Sequence, residues 1–75
     1  MNLKELLKQK KITQDRLIDY FLKHNHYKYQ QQISNWLNGK RQPDLMSIYL
    51  ISKCLRCSVE EVFDAVLETL GLGAV

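Results

Sequence analysis

The chain has 75 residues, which is enough for one domain built around a single hydrophobic core. Apolar residues make up 45% of it, too many for a disordered protein, and no apolar run approaches the ~20 residues that a membrane-spanning helix needs. The formal net charge of +3 is too small to indicate a partner by itself. The charged, amphipathic beginning has no signal-peptide core, which predicts a cytoplasmic protein.

The charges are unevenly distributed along the chain. Residues 20–43 contain two histidines, no acidic residue and four basic residues, namely Lys23, Lys28, Lys40 and Arg41. Residues 58–75 contain four acidic residues and no basic one. This asymmetry predicts a basic binding face and an acidic far side.

The first two helices are predicted from apolar spacing and capping residues. Residues 2–10 carry a leucine stripe at helical spacing, which predicts the first helix. Thr13 is a good N-cap for a second helix that runs to about His24.

The segment 22–28 allows two interpretations. In the first, Asn25 ends the second helix, Tyr27 packs inward, and the third helix spans about 29–38. In the second, Asn25 caps a longer third helix that begins at His26.

Residues 29–41, YQQQISNWLNGKR, have two different faces when arranged as a helix. Ile33, Trp36 and Leu37 form an apolar stripe, whereas the amide and hydroxyl side chains fall on the other side. Gly39 suits the left-handed conformation of a helix end, and two cations follow it. Such a face suits the major groove of DNA, since amides can pair with adenine and cations with phosphates. The alternative is an ordinary solvated helix followed by a polar turn.

Two more helices are predicted after Pro43, which the third helix cannot pass. Asp44 should cap a fourth helix over about 45–55, with a core stripe of Leu45, Ile48, Ile51 and Leu55. Ser58 and Glu61 have capping-box spacing at the start of a fifth helix. The apolar residues of that helix are Val59, Val62, Phe63, Val66 and Leu67.

Three stretches, LKELLKQKKITQDRL, ISNWLNGKRQPDL and LISKCLRCSVEEVF, resemble the phage-repressor (Cro-like, XRE-type) helix-turn-helix family. The resemblance implies an all-α, compact five-helix lambda-repressor-like domain. It would occupy residues 1–75, with its core over about 3–67 and an apolar tail over 68–75. One departure is that Thr13 and Ile33 are about five residues further apart than the short turn of this motif allows.

The resemblance also implies residue roles. The residues expected to contact DNA bases are Gln30, Gln31, Gln32, Ser34 and Asn35. The residues expected to contact phosphates are Gln14, Tyr29, Asn38, Lys40 and Arg41.

The function implied is sequence-specific binding of double-stranded DNA by a repressor-like transcriptional regulator at an operator. A homodimer would read two half-sites. The apolar residues expected at its interface are Met46, Leu50, Val66, Leu70, Leu72 and Val75. The alternative is a protein-interaction module, such as an antitoxin or adaptor, built on the same fold.

Other kinds of site find little support in the sequence. Cys54 and Cys57 have zinc-ligand spacing, but a structural zinc site needs four ligands, and His24 and His26 are expected to lie across the domain from the fourth helix. The cysteines are therefore predicted to be structural. No catalytic triad or glycine-rich phosphate loop is present, so no enzyme activity, cofactor or small-molecule ligand is expected.

Overall fold

The computed structural model describes residues 1–72, which form five α-helices and no β-strand. In chain order the helices are α1 (Leu3–Gln9), α2 (Gln14–Lys23), α3 (Gln30–Leu37), α4 (Leu45–Leu55) and α5 (Val59–Thr69). The predicted all-α, five-helix architecture is confirmed. Within the described range, no helix is long and apolar enough to cross a membrane.

Side-chain caps fix the beginnings of α2 and α5 where the sequence predicts them. The Thr13 hydroxyl accepts a hydrogen bond from the backbone N–H of Arg16, and the Ser58 hydroxyl accepts one from Glu61. Each bond satisfies a backbone donor that the first turn of a helix leaves without a partner.

The core lies where α4 packs against both α2 and α5, while α1 covers α5 and α3 covers α2. Phe21, Ile33 and Ile51 are fully buried at its centre, and Trp36 is 6% exposed. The expected burial of the α3 stripe is therefore confirmed.

Helix α4 buries a different stripe from the predicted one. Leu45 is 77% exposed, so its placement in the core was wrong. Leu50 is 4% exposed and belongs to the core, although it was predicted at a dimer interface. The physical reason is that α4 has neighbours on two sides, and its nearly continuous apolar sequence did not show which residues would face them.

In the connection between α2 and α3, the side chain that packs inward is a histidine and not a tyrosine. Asn25 adopts a left-handed conformation with φ 56° and ends the turn after α2, so the longer third helix was a wrong alternative. Tyr27 is 64% exposed, which contradicts its predicted inward packing. His26 turns inward instead: its ring packs edge-on against Phe21 at 5.3 Å, and its Nε2 lies 2.7 Å from the Ser47 hydroxyl.

His26 therefore contacts the first turn of α4, and the expectation that it would lie across the domain from α4 was wrong. Cys54 and Cys57 are at the other end of that helix, both free and half-buried against the core. No cluster of potential metal ligands occurs within residues 1–72.

Asp44 occupies the N-cap position of α4, but its carboxylate makes no bond to the backbone of the first turn. It accepts a 2.5 Å hydrogen bond from the buried Ser47 hydroxyl, and the Lys28 ammonium lies 3.5 Å away. Burial opposes ionisation of this carboxyl, but the Ser47 bond, a backbone bond and the charges of Lys28 and His26 together lower its pKa. Two residues of the α2–α3 connection, His26 and Lys28, thus contact the start of α4.

The predicted dimer patch is divided between core and surface. Val66 of α5 is buried in the core, and Leu70, directly after α5, packs against the core. Met46 and Leu72 remain exposed, and Val75 lies outside the described residues. Leu50 and Val66 therefore cannot form an interface between two copies of this fold.

Candidate nucleic-acid interface

Helix α3 presents its amides on the side opposite the core. Successive residues of an α-helix are about 100° apart, so Gln31 and Asn35 fall opposite the buried Ile33 and Trp36. Gln30 lies at one edge of the outward face and is exposed. The most outward groups of the short helix are therefore amides, which both donate and accept hydrogen bonds.

Gln31 and Asn35 form a pair one helical turn apart. The Gln31 Nε2 donates to the Asn35 Oδ1 at 3.1 Å. This bond holds both side chains in place and leaves the Gln31 amide oxygen and the Asn35 amide nitrogen directed to new partners. One acceptor and one donor side by side complement the N6 amino group and N7 of adenine in the major groove.

A second polar chain runs along the edge of α3 and reaches α1. The Asn38 amide nitrogen donates to the Ser34 hydroxyl at 3.3 Å, and the Lys4 ammonium donates to the Asn38 oxygen at 3.4 Å. Lys4 is a functional candidate that the sequence did not reveal, because its contact with Asn38 joins segments far apart in the chain.

The first turn of α3 uses one of the three glutamines for its own stability. The Gln32 side-chain oxygen accepts a 2.9 Å hydrogen bond from the backbone N–H of Tyr29. The Tyr29 side chain makes no cap bond and is 74% exposed at the entrance to the helix. Gln32 is therefore a helix-capping residue, whereas Gln30 and Tyr29 project into solvent.

The segment after α3 is held against the end of the helix. Gly39 has φ +71°, and the backbone N–H groups of Lys40 and Arg41 both donate to the Asn35 carbonyl, at 2.9 and 3.3 Å. These bonds fix the backbone of the two cationic residues next to the amide face. A shallow depression of about 290 Å³ separates Arg41 from Asn35, with Trp36 and Lys28 in its wall.

Gln14 begins α2 and differs from the other candidates in having a buried polar atom. Its side-chain oxygen is inaccessible and has no hydrogen-bond partner within residues 1–72. An unpaired buried amide oxygen is energetically costly. The structure does not join Gln14 to the hydrogen-bonded α3 network, so the two parts of the predicted site remain separate.

Comparison with known families agrees with this arrangement. A family model described as helix-turn-helix matches residues 30–62, which span α3, the following loop, α4 and the beginning of α5. Residues 30–62 belong to the helix-turn-helix family. No curated protein and no solved structure matches the chain.

The helix-turn-helix assignment confirms the family resemblance and supports binding of double-stranded DNA, with a general role in transcription regulation. The matched segment starts at Gln30, immediately after the lengthened connection, and includes the amide face, Gly39, Lys40 and Arg41. Helices α1 and α2 lie outside it. The helix-turn-helix family is one of DNA-binding proteins, in agreement with a role in binding.

Proposed function

We propose that the protein is a sequence-specific, repressor-like transcriptional regulator that inserts α3 into the major groove of an operator. The observation that supports this most directly is the outward pair of Gln31 and Asn35, which is held by its own hydrogen bond and lies next to two cationic residues whose backbone is bonded to Asn35. Pre-arranged amides lose little conformational freedom on binding. Cations at the helix end provide the phosphate contacts that set the orientation of the helix.

In this proposal Gln31 and Asn35 contact base edges, with Gln30 and Ser34 at the border of the contact. Gln32 keeps its capping bond and supports the helix from within. Lys40, Arg41, Asn38 and Tyr29 contact the sugar-phosphate backbone. Gln14 joins them by turning its side chain outward, so that its amide nitrogen donates to a phosphate and its amide oxygen, buried without a partner in the structure, becomes accessible to water.

The proposal is tested by selecting binding sites from random duplex DNA and then measuring Gln31→Ala on the selected site. We expect a loss of about 1–3 kcal/mol there and little change on random DNA, because a bidentate base contact is lost while phosphate contacts stay. Gln9→Ala, on exposed α1 surface, is the matched control. Equal losses on both DNAs would show that Gln31 only contacts the backbone.

The phosphate contacts are tested through the salt dependence of binding. Lys40→Ala and Arg41→Ala should each weaken binding to every duplex and reduce the slope of log affinity against log salt by about one. Lys8→Ala removes an equally exposed lysine from α1 and should leave the slope unchanged. An unchanged slope in both loop variants would remove them from the interface.

We also propose that the working unit is a homodimer on DNA, since one recognition helix reads few base pairs. The exposed apolar surface of α4 consists of Leu45, Met46 and Tyr49, which adjoin one another on the helix. This strip replaces the buried Leu50 and Val66 as the proposed interface. One protein per selected site, together with selected sites that lack a palindrome, would contradict the dimer.

A protein-interaction role is the competing function. It predicts that random duplex DNA does not bind even at low salt, whereas the proposed function predicts binding that weakens steeply as salt is added. Titration at two salt concentrations therefore distinguishes them.

A further inference from the structure

A second basic surface lies away from α3, in a groove of about 550 Å³ between α2 and the C-terminal end of α4. Five cationic side chains line it, namely Lys10, Arg16, Lys23, Lys53 and Arg56. They come from the end of α1, from α2 and from the end of α4, so folding alone brings them together.

The groove has an excess of positive charge that the protein does not neutralise. Asp19 is the one carboxylate in its lining, and it pairs with Lys23 at 3.8 Å. Within residues 1–72, none of the other four cations lies within 4.0 Å of a carboxylate oxygen. Like charges around a concave surface concentrate a positive potential that attracts anions.

The charge of a cation on α2 influences a side chain on α4 across the groove. Burial raises the pKa of the Cys54 thiol on α4, and the charge of Arg16 on α2 opposes that effect across the groove. Lys53 lies over the Tyr49 ring, 5.2 Å from its centre, which limits the directions that its ammonium can take.

This groove is on a different side of α2 from the proposed DNA contact. Arg16 is two residues beyond Gln14, about 200° further around the helix, and Lys23 lies in nearly the same direction as Arg16. No residue of α3 or of the loop that follows it lines the groove. A duplex held by Gln14 and α3 would therefore leave the groove open.

We propose that this groove binds a small anion that carries at least two phosphate groups. Its volume falls in the range of small-molecule sites, roughly 300–1,000 Å³, and is enclosed on three sides by α2, the end of α1 and the end of α4. Arg16 and Arg56 provide planar guanidinium groups that bind phosphate oxygens in pairs, and Lys53, also in the lining, adds the point charge of an ammonium group. Two or more linked phosphates match four unpaired cations better than a single carboxylate does.

The test is titration of the full chain with inorganic triphosphate, followed by calorimetry and by NMR of the amide groups. We expect saturable binding, with the largest chemical-shift changes in α2 and the end of α4. Arg16→Gln and Lys53→Gln should each weaken binding about tenfold, as expected when one charge-assisted contact is lost. Lys8→Gln removes an exposed lysine outside the groove and should bind like the wild type.

Three results would overturn the proposal. The first is equal weakening in all three variants, which would indicate only general charge screening. The second is a set of NMR changes confined to α3 and Lys40, a measurement on the wild-type chain that needs no variant to fold. The third is absence of triphosphate binding together with a reduced salt slope for duplex DNA in Arg16→Gln, which would make the groove a DNA contact.

Discussion

Replacing Gly39 with alanine should displace the segment that contains Lys40 and Arg41, which is proposed to contact DNA. Gly39 has φ +71°, and an added Cβ would lie 2.7 Å from the backbone carbonyl oxygen of Thr69, at the end of α5. Gly71 has a similar φ of +79°, but a Cβ added there has no neighbour within 4 Å among residues 1–72. Gly39→Ala and Gly71→Ala therefore share the same conformational penalty and differ in one steric clash.

The conformational cost and the steric cost can be estimated separately. The left-handed conformation costs an alanine about 1–2 kcal/mol relative to glycine at either position. At Gly39 the clash is with backbone, which cannot rotate away, so the loop and the end of α5 must move apart. Overpacking of this kind costs about 1–3 kcal/mol more. Gly39→Ala should thus lose about 2–5 kcal/mol, a large part of the stability of a domain this small.

Urea unfolding of both variants measures the difference, and DNA affinity measured well below the unfolding midpoint measures its effect on the loop. We expect Gly71→Ala to bind DNA normally and Gly39→Ala to bind weakly, since Lys40 and Arg41 follow the displaced residue directly. Equal stability losses in the two variants would refute the reasoning, because they would show that the Thr69 carbonyl moves without resistance.

Three further outcomes follow from the packing and the charges. His26→Ala should cost about 1–3 kcal/mol, the sum of one hydrogen bond and one aromatic contact. His24 is exposed and its ring contacts Tyr20 at 4.5 Å, so His24→Ala should cost less, about 1 kcal/mol or below; comparable thermal shifts in the two variants would contradict this. Trp36→Ala should cost about 3–5 kcal/mol, measured by urea unfolding, and a stable variant lacking only DNA binding would show that the buried ring is dispensable. The lowered pKa of Asp44 means that its ionised form stabilises the fold above the ordinary aspartate range near pH ~4, and that this contribution is lost as pH falls through the folded pKa. The stability difference between wild type and Asp44→Asn should therefore close on acidification from about pH 7 to about pH 3, and a constant difference would argue against the Asp44 contacts.

Local features of the fold could be predicted because neighbouring residues determine them. Thr13 and Ser58 cap helices through bonds to residues three positions away, and Gly39 has the conformation that a helix end requires. The amide face of α3 follows from helical periodicity, given that Ile33 and Trp36 face inward. Predicting these features requires no knowledge of the tertiary contacts.

Features that depend on distant contacts could not be predicted in the same way. Hydropathy favoured Tyr27 over His26 as the buried residue of the connection, but Ser47 offers His26 a hydrogen-bond partner that Tyr27 does not reach. The exposure of Leu45 and burial of Leu50 depend on how α4 is placed between two helices. Lys4 joins the candidate interface only because α1 lies beside the end of α3.

The contacts of His26 and Lys28 at the start of α4 also affect the local stability of α3. They tie the segment before α3 to Ser47 and Asp44, and the loop after α3 leads directly into the same turn of α4. Helix α3 is thus preceded and followed by segments that both reach the first turn of α4. Loss of the His26 contacts would loosen the beginning of α3, while the buried Ile33 and Trp36 keep the rest of the helix in the core. The amide hydrogens of Gln32 and Ile33, which bond to the Tyr29 carbonyl, should then exchange with solvent through local opening, faster than those in the middle of α4.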